Sequence, residues 1–113
     1  MKYLASPYTH DSQSVRESRF HQVCEIAAKL TERGLFIFSP IAHSHPIAMC
    51  GNLPTDWKYW EEYDRQMIAA CDELIVAKID GWEQSKGVTA EIKIANLLGI
   101  PVSYIEPIEE QEA

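Results

Sequence analysis

Apolar positions along this chain fall into two patterns, short dense runs and longer stretches repeating every three or four residues, and their alternation predicts strands separated by helices. Lys2 to Ala5 reads as a short strand ended by Ser6-Pro7. Ser12 to Arg33 follows as a helix, with Val15, Phe20, Val23, Ile26, Ala27 and Leu30 at its apolar positions and Gly34 just past its end, where a left-handed residue costs little. Leu35 to Phe38 reads as a second strand, dense enough in apolar residues to be covered on both faces, and Ser39-Pro40 breaks it. Ile41 to Pro54 holds His43, His45, Pro46, Gly51 and Pro54 without a steady period, which predicts a long loop with at most one helical turn. Thr55 or Asp56 caps a helix running to about Cys71, and Asp72 to Lys78 leads into a third strand. A loop through Asp80-Gly81-Trp82, a helix ending at Gly99 and a fourth strand over 100–105 complete the order.

This alternation implies an α/β fold, a parallel sheet of four or five strands wrapped by helices on both faces in three layers. Ligands of such sheets bind beyond the carboxyl ends of the strands. The rule gathers Ser6 to His10, Ser39 to His45 and Asp80 to Gly87 at one edge. One domain is expected over 1–106, followed by an acidic, flexible tail at 107–113.

The 113-residue length suits one domain, in which a deep pocket gains a wall from a second subunit, so a homodimer or higher homo-oligomer is expected. No run of 18 apolar residues occurs, and no basic, apolar leader opens at Met1-Lys2-Tyr3-Leu4. A cytoplasmic protein with no membrane partner is the expectation. Cys24, Cys50 and Cys71 are odd in number and lack CxxC spacing, which argues against a disulfide framework and a zinc cluster. A formal charge of −7 opposes binding to a nucleic-acid polymer and leaves room for a small ligand. Neither GxGxxG nor GxxxxGK[ST] follows the first strand, which weakens dinucleotide and P-loop readings. His43 and His45 lack a third ligand at useful spacing, so no metal and no cofactor are expected, and these rings are read instead as lining a base pocket or lid. Trp57, Trp60 and Trp82 are further aromatic candidates for that pocket, Trp82 foremost.

Two carboxylates break the apolar stripes. Glu91 shares a helical face with Val88, Ile92, Ala95 and Leu98, and Asp64 shares one with Trp57, Trp60, Met67, Ile68 and Cys71. A boundary position or a salt bridge explains many such acids. Two of them aimed at one sheet edge also suit glycosidic cleavage, in which one carboxylate attacks the anomeric carbon and the other, its pKa raised by apolar surroundings, protonates the leaving group.

Tyr3-Leu4-Ala5-Ser6-Pro7, the strand from Gly34 to Ser39, Asp64 ahead of Cys71-Asp72, the run Gly81-Trp82-Glu83-Gln84-Ser85-Lys86-Gly87, and Glu91 followed by Ala95 and Leu98-Gly99-Ile100-Pro101-Val102 occur in an order that resembles the nucleoside 2-deoxyribosyltransferase superfamily, above all its small bacterial and phage members. The resemblance implies a flavodoxin-like sheet and a retaining mechanism. Glu91 would attack C1′ of a nucleoside or nucleotide, Asp64 would assist the departing base, and Tyr3 would orient the nucleophile. Water would then give hydrolysis, and a second base would give exchange; a non-catalytic nucleotide-binding module is the alternative of a different class. Ser85 stands where the transferases carry Asp and where members hydrolysing nucleoside 5′-monophosphates carry Ser, and Ser6 matches a second phosphate-contacting serine. Gly87 belongs with these substrate-binding positions. Tyr8 departs from the pattern, occupying the place of an Arg in those hydrolases, with Lys86, Arg16 or Arg19 as candidate substitutes for the missing cation.

Overall fold

Strand β1 (Lys2–Ala5) pairs in parallel with β2 (Ile37–Phe38) on one side and β3 (Glu73–Ala77) on the other, and β4 (Val102–Ile105) pairs with β3. The resulting all-parallel order β2-β1-β3-β4 is that of a flavodoxin-like sheet. This computed structural model describes residues 1–107, so all of the expected tail but Pro107 lies outside the described residues. The described residues also form four helices, α1 (Gln13–Glu32), α2 (Pro40–Gly51), α3 (Trp57–Ala69) and α4 (Lys86–Leu97), with a 3-10 turn at Trp82–Gln84 before α4.

The two-residue period of the central strands sorts their side chains into two cores. Tyr3, Ala5, Leu74 and Val76 face Ile68 of α3 and Val88 and Ala95 of α4. Leu4, Ile75 and Ala77 face Val23, Ile26 and Leu30 of α1 on the other side. The three layers therefore follow from strands with apolar residues on both faces and helices with one apolar stripe each. No described helix is long and apolar enough to cross a membrane.

Two expectations are corrected. The second strand is shorter than Leu35 to Phe38 and is not covered on both faces: β2 is an edge strand whose two residues are half-buried, and Phe36 beside it is 77% exposed. An edge strand has a neighbour on one side only and lies at the limit of the helices' cover. The stretch Ile41 to Pro54 is not a long loop; most of it is α2. Pro40 occupies the first turn, where its missing N–H is not needed, and the Ser39 hydroxyl accepts the Ala42 N–H at 3.1 Å. Asn52 ends the helix in the left-handed region at φ 53°. Its buried face consists of Pro40, Ser44, His45 and Ala48, so the helical period is present in burial and absent from hydropathy. A smaller difference concerns Leu98, which caps α4 beyond its last turn and is 52% exposed rather than on the buried stripe.

The loops at the carboxyl edge are held by α1. Arg19 Nη1 donates to the Thr9 carbonyl at 3.1 Å and to the Tyr8 carbonyl at 3.4 Å, while its guanidinium covers Gly81. Gly81 sits at φ 95°, and a Cβ there would collide with Arg19 Nη2. Gly81→Ala should therefore destabilise the protein by roughly 1–3 kcal/mol in urea denaturation. In an Arg19→Ala background the same substitution should cost less, because only the backbone strain remains.

Candidate active site

Above the carboxyl end of β1 lies a cavity of about 510 Å³, within the range of small-molecule sites. Its walls come from the loop after β1 and from the first turns of three helices: Ile41 and Ser44 of α2, Trp57 and Lys58 of α3, Lys86 and Gly87 of α4. α2 follows β2 and α4 follows β3, while α3 comes after α2 and leads back to the start of β3, so all three helices have their N-terminal, positive dipole ends at this edge of the sheet. Among the described residues Lys58 and Lys86 take part in no ion pair. The cavity lining thus sets Lys58 and Lys86 beside Asp56, Asp64 and Glu91.

Both stripe carboxylates reach this cavity. Glu91, one and a half turns into α4, is 4% exposed, and the Tyr3 hydroxyl donates to its Oε2 at 2.5 Å. Tyr3 itself is fully buried on β1, its ring near Phe38, so the nucleophile candidate is anchored to the centre of the sheet. Burial pushes the Glu91 carboxyl well above its ordinary range; the Tyr3 hydrogen bond opposes this, and the neighbouring Asp64 adds to it. The Tyr3 phenol is likewise held well above its usual value by burial, then by Glu91 and Asp64. Asp64 is 6% exposed on α3, and burial raises its pKa to about 7. Trp57 and Trp60 line the cavity with it.

The remaining candidates divide into two groups. Ser6, Tyr8, Ser85 and Gly87 line the same cavity as Glu91 and Asp64. Ser85 is the N-cap of α4, its hydroxyl accepting the Val88 N–H at 3.1 Å, which sets Lys86 and Gly87 in the open first turn. The Ser6 hydroxyl is buried with no hydrogen-bond partner among the described residues, an arrangement that costs free energy unless a ligand completes it. His43, His45 and Trp82 do not line the cavity. His43 stacks on Tyr63, whose hydroxyl lies 2.7 Å from its Nε2. His45 is buried against Phe20, its Nδ1 2.5 Å from the Tyr8 hydroxyl, and burial lowers its pKa. Trp82 packs against Tyr104 and the core. Ser44 and Lys58 were not singled out beforehand; the helical phase of α2 would have pointed to Ser44, had its polar face been legible. Among the described residues no group of three or more His, Cys, Asp and Glu side chains gathers closely enough to hold a metal ion.

A family model described as a domain of unknown function (DUF1937) matches residues 1–107. No curated protein matches the chain.

Because Asp64 holds its proton more tightly when folded than in the unfolded chain, burying it costs nothing below pH 3.8. Stability is lost progressively as the pH rises from there to about 7, and the loss is constant above. Its full size is on the order of 4 kcal/mol. Asp64→Asn should accordingly be more stable than the parent at pH 8 in urea denaturation, with the difference shrinking at pH 4.

Proposed function

The chain belongs to the DUF1937 family, and we propose that it is an N-glycosidase that cleaves the base–sugar bond of a nucleoside or its 5′-monophosphate through a covalent glycosyl-Glu91 intermediate. The observation that carries this reading is the buried Tyr3–Glu91 hydrogen bond at the cavity that Asp64 shares. Two carboxyls in one poorly solvated site do not ionise together readily. Burial raises both carboxyls, but Tyr3 gives Glu91 a donor that favours its charged form and Asp64 has none, so on this reading the pair's single negative charge is drawn to Glu91 and Asp64 keeps the proton.

In the first step a Glu91 oxygen attacks C1′, the C1′–N bond breaks, its electron pair passes to the base, and Asp64 delivers its proton to that base. In the second step water attacks C1′ and releases Glu91, while the Asp64 carboxylate takes up the water's proton. A second base in place of water would give exchange through the same intermediate. The phosphorylated substrate is the favoured form, because the Ser85 turn, the Lys86 ammonium and the unpartnered Ser6 hydroxyl offer donors that a neutral 5′-hydroxyl would leave unused. Tyr8 supplies no cation, since its hydroxyl is engaged by His45.

The test is a panel of ribo- and deoxyribonucleosides and their 5′-monophosphates, incubated with and without an acceptor base and separated by chromatography. Released base with sugar phosphate is expected; exchange exceeding hydrolysis would point to a transferase, and no turnover of any member to a binding module. Glu91→Gln should abolish turnover with the fold retained by circular dichroism, and full activity in that variant would remove Glu91 from its role. Asp64→Asn should lower kcat/KM by about 10²–10⁴-fold.

The general acid must be protonated, so the parent's rate should fall as the pH rises through about 7, and this limb should vanish in Asp64→Asn.

A further inference from the structure

The α2 wall of the cavity contains a polar group that the catalytic scheme does not use. Helical geometry turns His43 and His45 away and leaves Ser44, between them, facing the cavity. Ser44 is 6% exposed, and its hydroxyl makes no hydrogen bond among the described residues. Apart from Ser6, the lining that the loop after β1 and α2 contribute is otherwise committed or apolar. The Tyr8 hydroxyl is held by His45 at 2.5 Å, the Thr9 hydroxyl donates to the Thr55 carbonyl at 3.3 Å, and Ile41 is a hydrocarbon. Ser44 is thus the polar group that α2 itself offers the cavity, beside Ile41 and the Tyr8 ring, and a few such groups are how binding sites fix a ligand's orientation.

Sheet order says which part of a substrate this wall meets. α2 starts from the edge strand β2 and α4 from β3, on either side of β1, so Ser44 and the Ser85–Gly87 turn enter the cavity from opposite sides. A nucleotide with its phosphate at the α4 turn and C1′ near Glu91 directs its base toward α2.

We propose that Ser44 determines specificity for the leaving base, its hydroxyl bonding an exocyclic amino or keto group on the base edge while the Tyr8 ring, held by His45, forms the adjoining wall. This assignment rests on the N-glycosidase reading. A hydroxyl can donate to a keto oxygen or accept from an amino group, so both classes of substituent fit. A site built to bond such a group discriminates against an analogue lacking it, because the buried hydroxyl is then left unpaired.

The experiment compares the parent with Ser44→Ala and Ser44→Cys on a substrate and its analogue without the exocyclic group, such as adenosine 5′-monophosphate and purine riboside 5′-monophosphate, or the matching pair for whichever base is turned over. The parent should prefer the substituted base by about tenfold or more in kcat/KM. Both variants should lose that preference through the substituted substrate alone. The ligand-free Ser44→Ala protein should melt no lower than the parent, since the hydroxyl removed makes no hydrogen bond among the described residues and alanine favours the helix. A preference retained in either variant, a parent without preference, or a lower melting temperature for Ser44→Ala would each overturn the assignment. Ser44→Cys, near in size but a poor hydrogen-bonding group, carries the comparison if the alanine variant does not fold. Turnover with unchanged preference removes Ser44 alone; absence of turnover, together with no shift in the parent's melting temperature by any free base, removes the N-glycosidase reading as well.

Discussion

A carboxyl group that is 4% exposed has to be reconciled with the hydrophobic layer around it, and here the reconciliation is a single hydrogen bond from Tyr3. Burying an unpaired carboxylate is costly, so the group either keeps its proton or finds a donor. Tyr3 is such a donor because β1 is a central strand, flanked by β2 and β3 and sealed from solvent over Tyr3, Leu4 and Ala5. The bond therefore ties the middle of the sheet to the second turn of α4. It also fixes the height at which Glu91 meets the cavity.

Around that anchor the site is assembled from segments that begin at strand ends. The loop after β1 is pinned by Arg19 to α1, by the Thr9 hydroxyl to the segment before α3, and by the Tyr8 hydroxyl to α2. Rigid loops and helix starts leave little for a ligand to order on binding, and the cost of organising the donors is met by folding. The same arrangement places fixed N–H dipoles and two lysines at short range in a chain of acidic balance, whose distant surface charge solvent screens.

Much of this was legible in the linear pattern. The stripes of α1, α3 and α4 identify helices, β1 and β3 read as strands, and alternation of the two implies the parallel three-layer sheet that the structure has. The carboxylates at 64 and 91 stand out because they interrupt otherwise apolar faces, and both are buried. The helix at Pro40–Gly51 was not legible for the converse reason: its buried face carries Ser44 and His45, whose polarity erases the period that would announce it. The edge position of β2 was likewise hidden, as Leu35 to Phe38 has the composition of a covered strand.

Sequence by itself determined the order of the strands and of every long helix but α2, the parallel sheet and the presence of two acids where hydrocarbon was due, since hydrophobic spacing records which face of each element avoids water. Tertiary structure alone decided which polar and aromatic groups meet: Tyr3 with Glu91 across 88 positions, Ser44 rather than its histidine neighbours at the cavity, Trp57 and Trp60 rather than Trp82, and a pKa of about 7 for Asp64. These depend on distances between side chains remote in sequence and on the water excluded from around them, quantities that come into being only when the layers close.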